Sequence, residues 1–595
     1  MSLPVAVQSA AETLTATAAT WSIRAPNAAA ETLARTATLP RVMAALLTAR
    51  GVRTPEQAES FLSPNLDDLH DPYAMLGMDA AVRRIQQAIA QQQSVLIYGD
   101  YDVDGTLAVV LLKTAIEALG GLCRFHVPHR LRDGYGMQAA ALTQAAADGV
   151  QLVISVDNGI RDFAAAETAL QLGIDLIVTD HHLPDLALGI PPALVVLNPN
   201  QPGCTYPCKF LCGAGVAFKL AQALLEAQDR ERARTKLLPS FLKLLALATV
   251  ADAVPLLGEN RTFTALGIEQ LANPVHPGLC ALLELAEIDT SRALNARDIA
   301  FRIAPRLNAA GRMDVATDVV DLFTTRDPAR ARELAEKLHR LNTERRNTEQ
   351  MALQEIEQRL RDDASLAKAG LLVLDGEGWH RGVIGILASR VVDRTGKPAL
   401  VLTHEQGEAY GSGRSIPSFH LLEAISTCSD LFTRFGGHAH AVGFTLPSDR
   451  VPELRARLEA YAVALETITN QSSEVFCEME LPLDQLTPTL ATWVERLTPF
   501  GMDNPEPVFF ARRVRISAPP RVMKEVHLRL RLAQGATGAQ HTALAWNWAE
   551  RLAALSLGEN SLIDIAYKLR LSSTFHGNHR ELEIEILGLR PAEME

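Results

Sequence analysis

Between residues 94 and 198, short apolar runs alternate with stretches in which apolar residues recur at helical spacing. The runs are unbroken rather than alternating, which is typical of strands buried on both faces of a parallel sheet. The predicted strands are residues 94–100, 123–129, 150–157, 175–180 and 193–198. The predicted helices between them, which would provide the crossovers that parallel strands need, are residues 106–119, 138–148 and 163–172. The pattern predicts an α/β domain.

The pattern changes twice further along the chain. Residues 213–325 read as mostly helical, and Asp327-Pro328 forms an N-cap and N1 pair that predicts a long helix to about Asp363. Its apolar stripe of Leu334, Leu338 and Leu341 is narrow and the rest carries mixed charge, so we expect it to bridge two domains.

A second α/β unit is predicted from Gly370, with strands at 370–375, 398–404 and 411–416 and a helix from about Gly382. Alternating runs at 508–516, 526–532 and 582–589 then predict a small β-barrel resembling an OB-fold. The expected organisation has five parts: an N-terminal helical segment (1–80), a first α/β domain (81–325), a bridging helix (326–364), a second α/β domain (365–465) and the barrel (466–595).

Composition supports a globular protein. The chain has 595 residues, of which 48% are hydrophobic and 21% charged, which excludes disordered, collagen-like and disulfide-scaffold classes. We expect no membrane partner, because no apolar run is long enough to span a bilayer, and no signal peptide. Seven cysteines without regular spacing favour the cytoplasm. The net charge of −12 argues weakly against nucleic acid, but an enzyme that holds divalent cations needs surplus carboxylates.

Acidic and histidine residues follow three strands of the first predicted sheet. They are Asp100, Asp102, Asp104, Asp157, Asp180, His181 and His182. A single aspartate at a strand end is usually a turn or N-cap residue, but here three clusters should meet at the carboxyl edge of one sheet. Crowded carboxylates repel unless cations lie between them, and aspartate with histidine suits Mn²⁺ or Mg²⁺. The sequence therefore predicts two divalent cations at this edge, an arrangement suited to phosphodiester cleavage.

These residues resemble the motifs of the DHH phosphoesterase superfamily. The matching segments are Asp102-x-Asp104, Asp157-Asn158-Gly159, Asp180-His181-His182 and Asp252 within residues 249–255. Within that superfamily, residues 306–312, 411–415 and 436–443 resemble the RecJ family of single-strand-specific exonucleases, the last two in what resembles its DHHA1 domain. The motifs occur in matching order from about residue 50 to about residue 590.

The resemblance implies roles for individual residues. Asp102, Asp104, Asp157, His181 and Asp252 match metal ligands, with Asp157 bridging two ions. His182 matches the histidine near the scissile phosphate, where it would stabilise charge or protonate the leaving oxygen, and Asp180 would orient a histidine ring. Many members carry histidine four residues before the first ligand, where this chain has Tyr98, so Asp100 or water would replace it.

Candidate substrate-binding residues come from several segments. Arg414 offers a bidentate fork for phosphate and Ser412 a hydroxyl, and His438 follows two glycines in a second glycine-rich loop. Each loop alone would pass for an ordinary turn. Asn308 and Arg312 resemble residues that hold the nucleic-acid end. Arg130 is a weaker candidate that a solvated loop would explain equally well.

The predicted barrel contains the most basic window of this acidic chain. Its cations are Arg512, Arg513, Arg515, Arg521, Lys524, Arg529 and Arg531. Phe509, Phe510 and His527 are interleaved with them, as in grooves that combine charge with base stacking. A solvated β-sheet face is the alternative explanation.

The resemblance implies a two-metal exonuclease that degrades single-stranded DNA from 5′ to 3′ into 5′-mononucleotides during recombination and repair. It also implies a helicase and a single-strand-binding protein as partners, and we expect a monomer. One alternative is a related phosphodiesterase of short RNA or cyclic dinucleotides, which would need neither the barrel nor the bridging helix. The other is a non-catalytic single-strand-binding scaffold, against which the five competent ligand positions argue.

Overall fold

The structure is a computed structural model that describes residues 21–25, 27–465, 475–535, 540–576 and 579–592. These residues divide into two compact units. One unit contains Ala309–Asp314 and the segment from Leu338 to Ser472. The other contains the described residues from Trp21 to Asn308, Val315–Lys337 and the described residues from Val475 onward. The first 20 residues of the predicted N-terminal segment lie outside the described residues.

The chain begins with a short strand and three helices, followed by the elements of the first α/β domain. In order they are β1 (Trp21–Ile23), α1 (Ala28–Thr36), α2 (Arg41–Ala49), α3 (Pro55–Leu62), α4 (Met78–Ala90), β2 (Ser94–Tyr98), α5 (Val103–Ala118), β3 (Leu122–His126), α6 (Ala139–Ala147), β4 (Val150–Val156), α7 (Phe163–Gln171), β5 (Asp175–Thr179) and β6 (Val195–Leu197).

The first domain contains a parallel sheet with the strand order β3-β2-β4-β5-β6, which confirms the predicted fold class. One face packs Tyr98 and Val153 against α6 and α7, while Ile97 and Ile154 are fully buried on the other. The observed strands end one to three residues before the predicted ends. After β2, β4 and β5, the polar residues leave the sheet and form the site described below.

Helices predominate next, as the pattern predicted. They are α8 (Gly213–Arg232), α9 (Leu238–Ala251), α10 (Gly258–Leu271), α11 (Pro277–Leu285), α12 (Ala296–Asp298), α13 (Ala304–Met313), α14 (Thr317–Thr324), α15 (Pro328–Asp362) and α16 (Ala364–Lys368). The long helix α15 begins in one compact unit and ends in the other, the boundary falling at Lys337–Leu338.

The second α/β domain is built on a mixed sheet with the order β10-β11-β9-β8-β7, in which only β7 and β8 are parallel. Its elements are β7 (Leu372–Glu377), α17 (Ile384–Thr395), β8 (Ala399–Glu405), β9 (Glu408–Arg414), α18 (Leu421–Ser426), β10 (Arg434–His438), β11 (Ala441–Pro447) and α19 (Val451–Ala464).

One glycine-rich segment lies in the strand predicted at 411–416, whereas the other, which was interpreted as a loop, also lies in a strand. Gly411 and Gly413 lie in β9, and Gly436 and Gly437 lie in β10. A side chain at Gly411 would place its Cβ 2.2 Å from the ring of Phe444, which fills that space across the sheet. The glycine therefore allows close packing of an aromatic ring rather than a turn.

The C-terminal barrel has OB-fold strand order. Its elements are β12 (Val475–Cys477), β13 (Met479–Glu480), α20 (Pro488–Glu495), β14 (Phe509–Ile516), β15 (Arg521–Met523), β16 (His527–Ala533), β17 (Gln540–Ala545), α21 (Ala549–Ala554), β18 (Leu562–His576) and β19 (His579–Pro591). The sheet runs β13-β14-β18-β19-β17-β16-β15, and β14 also pairs with β16, which closes the barrel. The predicted OB-like barrel is confirmed.

The helices α1–α3 share one hydrophobic core with the barrel. Leu33, Met43 and Leu47 pack in the same cluster as Leu530 and Ile565. Strand β1 also pairs in parallel with β12. These N-terminal elements and residues 475–592 are therefore called the barrel domain. Among the described helices, none combines the length and apolar character that crossing a bilayer requires.

This shared core predicts that a cavity in α2 weakens the barrel. Leu47→Ala removes a fully buried side chain and should cost about 2–5 kcal/mol, as should Leu530→Ala within the barrel. Amide hydrogen exchange should accelerate in β16 and β18 in both variants while β4 keeps its protection. Leu142→Ala, in the core of the first α/β domain, is the control and should give the reverse pattern. Unchanged protection of β16 in Leu47→Ala would contradict the shared core.

Candidate metal centre

Three aspartates lie around the start of α5, just after β2. Asp102 is the N-cap residue of α5 and accepts a hydrogen bond from the amide of Gly105 at 3.0 Å. Asp104 lies in the first turn of the helix, and both Asp104 and Asp100 are buried. The helix start thus holds three carboxylates within a space of five residues, at the carboxyl edge of the sheet.

The start of α8 holds Asp104 in place. The amides of Gly213 and Ala214 donate to its two carboxylate oxygens at 2.6 and 2.9 Å. The amino terminus of a helix favours such a negative charge. A side chain at Gly213 would bring its Cβ within 2.4 Å of Oδ1 of Asp157, so only glycine fits without moving that carboxylate.

Asp157, His181 and Asp252 meet beside Asp104. Asp157 follows β4 with a φ of 62°, a left-handed conformation that aspartate tolerates better than most residues. Nε2 of His181 lies 3.2 Å from Oδ1 of Asp157, 3.8 Å from Oδ2 of Asp252 and 4.0 Å from Oδ2 of Asp104. Asp252 arrives from another direction, as the C-cap of α9.

The donor atoms form overlapping sets that suit metal ions. Each set has atoms within 4.8 Å of one another: Asp104, His181 and Asp252; Asp100, Asp102 and Asp157; and Asp157, Asp180, His181 and His182. Asp157 is shared by two of them. Buried oxygens of Asp100, Asp157 and Asp252 have no hydrogen-bond partner among the described residues. Hard carboxylate oxygens with one imidazole fit Mn²⁺ or Mg²⁺.

Electrostatics favours bound cations here. Burial, then the negative charges of neighbouring aspartates, raises the pKa of Asp157 and of Asp100 well above the usual range. Burial with the charges of Asp104 and Asp102 raises the pKa of Asp252 to about 9. Buried carboxylates this close cannot all ionise without positive charge between them. The geometry is therefore that of a site which needs divalent ions to become fully ionised.

Tyr98 has no part in these donor sets. Its buried hydroxyl donates to the carbonyl of Gly136 and accepts from the amide of Gln138, both at 3.3 Å. Asp100, in contrast, belongs to the set with Asp102 and Asp157.

His182 carries a positive charge at the more exposed side of the cluster. Its Nδ1 lies 2.7 Å from Oδ1 of the fully buried Asp180. Burial lowers the pKa of His182, but the hydrogen bond and charge of Asp180 raise it more, to about 9. Burial raises the pKa of Asp180, but His182 and backbone amides outweigh it and bring it to about 2. The pair is therefore a charged imidazolium on a fixed carboxylate at neutral pH.

Two aromatic residues of this region escaped the sequence analysis. The hydroxyl of Tyr135 lies 3.3 Å from Nδ1 of His182. The guanidinium of Arg130 lies over the ring of Tyr101, 4.9 Å from its centre, and its charge acts on Asp100. Tyr135 lies between two glycines in the loop after β3, and this position is the sequence signal that could have identified it. Arg130 is the residue of that loop that was considered as a candidate.

Asn308 and Arg312 are both in α13 and make backbone contacts. Oδ1 of Asn308 accepts from the amide of Val103 at 3.2 Å, so it contacts the start of α5 beside Asp102. Arg312 donates to the carbonyl of Gly382 at 3.3 Å within the other compact unit.

Ser412, Arg414 and His438 share one face of the mixed sheet. Ser412 and Arg414 alternate on β9, and β11 pairs Gly443 and Ala441 with them. Those two residues in turn pair with Gly436 and His438 on β10. Arg414 donates to Oγ of Ser412 at 3.1 Å. Nothing lies within 4 Å of a Cβ built at Gly436 or Gly443, which leaves an open floor beside these polar groups.

The seven cations of the basic window in the barrel, residues 512–531, are all exposed. Arg529 and Arg531 alternate with the buried Leu528 and Leu530 on β16 and so point outward. Arg512 pairs with Glu480 at 3.3 Å, whereas no carboxylate of the described residues pairs with the other six cations. The expectation of interleaved stacking by Phe509 and Phe510 is wrong, because both belong to hydrophobic clusters. Trp546 is 47% exposed and in edge contact with His527, so it is the exposed aromatic beside these cations.

The close approach at Gly213 predicts that a methyl group there weakens metal binding. Gly213→Ala must displace the carboxylate of Asp157 and should lower the affinity for Mn²⁺ about 10- to 100-fold. Calorimetric titration with Mn²⁺ measures this directly. Gly215→Ala is the matched control, because its Cβ would lie 3.3 Å from Cβ of Leu211 and would reach no candidate ligand. Equal affinities in the two variants would contradict the role of Gly213.

The raised carboxyl pKa values predict a pH-dependent metal affinity. In the metal-free protein Asp252 holds its proton below about pH 9, so ion binding must displace that proton. The affinity for Mn²⁺ should therefore rise from about pH 6 to about pH 8, by up to about tenfold per pH unit for each proton displaced. Titration in two buffers of different ionisation enthalpy measures the number of protons. A pH-independent affinity without proton release would contradict the assignment.

Comparison with known proteins agrees with this architecture. Residues 94–249 match the DHH family, N-terminal domain, residues 368–464 the DHHA1 domain, and residues 477–586 the RecJ OB domain. The chain is 36% identical to the single-stranded-DNA-specific exonuclease RecJ of Dickeya dadantii, over 93% of this chain and 96% of the relative. It is 39% identical to the Bacillus subtilis protein of that name over 82% of this chain, but spans only 61% of that longer relative.

Two solved structures extend the match to three dimensions. The crystal structure of RecJ in complex with Mn²⁺ from Thermus thermophilus has a TM-score of 0.79 at 30% identity, covering 97% of this chain and 80% of that one. An exonuclease RecJ bound to manganese has a TM-score of 0.58 at 34% identity, covering 67% and 96%. The identity to full-length relatives, the three matching domains and the shared fold show that this chain belongs to the RecJ family.

Proposed function

We propose that this protein is a divalent-metal-dependent exonuclease that hydrolyses the terminal phosphodiester of single-stranded DNA. The observation that carries the proposal is the pair of donor sets that share Asp157 at the carboxyl edge of the parallel sheet. Relatives named as single-stranded-DNA-specific exonucleases, at 34–39% identity, and neighbours holding Mn²⁺ or Mg²⁺ support it.

The proposed ligands are Asp102, Asp104, Asp157, His181 and Asp252, with Asp100 as an additional carboxylate. Bound ions would lower the pKa of water and stabilise the negative charge that develops on the phosphate. The protein contributes rigid carboxylates, two of them fixed by helix-terminal amides. It thereby holds the reacting groups in place without reorganisation during the reaction.

His182 is the proposed catalytic residue. Its Nδ1 faces Asp180, so Nε2 is the ring nitrogen that can meet the substrate. The charged imidazolium would stabilise the transition state or donate a proton to the leaving oxygen. Tyr135, whose hydroxyl lies beside the same ring, adds a polar group to that side of the cluster.

The proposed substrate contacts comprise two surfaces and three further residues. Ser412, Arg414 and His438 would bind backbone phosphate on the open glycine floor of the mixed sheet. The barrel cations Arg529 and Arg531 both lie on β16, and OB-folds bind single-stranded nucleic acid on this part of their sheet. Arg130, Asn308 and Arg312 complete the proposed set. The cationic barrel face favours a polynucleotide over a cyclic dinucleotide.

The finer features belong to the same proposal. We infer 5′-to-3′ polarity and 5′-mononucleotide products from the resemblance of the motif set, together with a role in recombination and repair. A helicase and a single-strand-binding protein are the proposed partners, and a monomer is the proposed active form. The seven unpaired cysteines support the proposed cytoplasmic location.

The decisive experiment uses one single-stranded DNA oligonucleotide labelled at the 5′ end in one sample and at the 3′ end in another. With Mn²⁺ or Mg²⁺, labelled mononucleotide should appear at once from the 5′-labelled strand only, and EDTA should abolish it. Asp157→Ala should reduce cleavage at least about 1,000-fold, because it removes the shared carboxylate, while single-strand binding stays within about threefold.

Asp185→Ala is the matched control. Asp185 also follows a strand at this edge. Its carboxylate accepts hydrogen bonds from the amides of Ala187 and Leu188 in an exposed turn and belongs to none of the donor sets. It should cleave like the wild type. Persistent cleavage by Asp157→Ala would refute the metal assignment. Turnover of a dinucleotide without cleavage of the oligonucleotide would move the protein to the small-substrate enzymes of the superfamily.

A further inference from the structure

A buried arginine joins the first α/β domain to the barrel domain. Arg261 of α10 is 2% exposed. Its Nε donates to the carbonyl of Phe61 at 2.8 Å, and its Nη1 and Nη2 donate to the carbonyls of Leu497 and Arg496 at 2.8 and 3.1 Å. The guanidinium also lies 3.8 Å from the centre of the Phe61 ring. One side chain therefore holds α3 and the segment after α20 together.

This arginine lacks the partner that buried cations usually have. Arg50 and Arg84 pair with Glu478 and Asp175, but no carboxylate of the described residues pairs with Arg261. Burial and the charge of Arg50 lower its pKa to about 9. A buried cation costs free energy unless it is fully hydrogen-bonded, and here only backbone carbonyls and a ring face compensate it. An apolar residue would avoid this cost. The advantage of arginine here is therefore the geometry that its three hydrogen bonds to backbone carbonyls impose.

A second contact connects the first α/β domain to the barrel domain. The amide of Leu256 donates to the carbonyl of Met502 at 2.9 Å, and Leu256 packs so close to Gly501 that a Cβ there would lie 2.6 Å from it. Within the barrel domain, Asn504 is fully buried and donates to the carbonyls of Leu497 and Pro499. Residues 496–504 thus form a rigid turn held against residues 256–261, which follow the candidate ligand Asp252 in the chain.

We propose that Arg261 is a positioning residue that keeps the basic face of the barrel in fixed register with the metal centre, so that a strand bound along the barrel reaches the metals. The proposal rests on the proposed exonuclease function. Rigid attachment gives the barrel a high effective concentration toward a strand whose end is already in the centre. Loosening the attachment lowers that concentration and leaves the chemistry at the metals intact.

The test is the length dependence of hydrolysis. Steady-state constants are measured for single strands of about four and about twenty nucleotides, the second long enough to occupy an OB-fold as well. Arg261→Met should raise KM for the long strand about tenfold, while kcat and KM for the short strand stay within about twofold. Arg261→Lys keeps the charge but loses the fork, so it should give an intermediate KM.

Tyr567→Phe is the matched control. Tyr567 is fully buried, and the hydrogen bond that the variant loses, from its hydroxyl to the carbonyl of Leu481 at 2.7 Å, lies within the barrel domain and involves no residue of 496–504. It should lower the melting temperature and leave the ratio of long-strand to short-strand KM unchanged. Circular dichroism and Mn²⁺ titration check that each variant is folded. If Arg261→Met does not fold, Arg261→Lys alone carries the test.

Two outcomes would overturn the inference. An equal loss on both strand lengths would mean that Arg261 acts on the metal ligands, and an unchanged ratio in a folded variant would mean that it sets no register. A wild-type protein without activity on either strand would count against the proposed function instead, so the two failures are distinguishable.

Discussion

Repulsion among buried carboxylates governs how the elements around the candidate metal centre are arranged. Asp100, Asp104 and Asp157 are buried close together, and three of the cluster's oxygens have no hydrogen-bond partner among the described residues. Such a cluster is stable only if its charge is neutralised, by protons or by cations. The surrounding fold supplies partial neutralisation through the amides at the start of α8 and the imidazolium of His182. Divalent ions bound between the carboxylates would supply the rest of the neutralisation.

The barrel domain is attached to the first α/β domain close to this cluster. The parallel sheet is built from a continuous segment, but its candidate ligand Asp252 comes from α9, outside the sheet. The loop after Asp252 contacts the turn at Met502, and Arg261 contacts both Phe61 and Leu497. The helices α1–α3 lie in the core of the barrel. The attachment therefore runs through the segment that follows a candidate ligand, which is a direct structural link between the barrel domain and the candidate metal centre.

Much of the candidate site could be predicted because it is local in sequence. Asp102 and Asp104 flank a helix start, His181 and His182 are adjacent, and each follows a buried apolar strand. Strand ends of one parallel sheet must share an edge, so their meeting followed from topology. Gly213 and Tyr135 could not be found this way, because their importance comes from contacts with Asp157 and His182 that are distant in sequence. The stacking role expected of Phe509 and Phe510 failed because both faces of this strand are covered: Phe509 lies in the barrel core and Phe510 in a second cluster with Val475.

The α/β and barrel architecture, the family resemblance and the set of chemically competent residues follow from local sequence, because periodicity and motif order depend on neighbouring positions. Only tertiary contacts show that Gly436 and Gly437 lie in a strand, that α1–α3 complete the barrel core, and that Arg261 lies between two domains. These features depend on contacts between residues far apart in the chain. Packing of surfaces, rather than any local preference of the chain, selects such contacts, and hydrophobic pattern alone does not specify the partner.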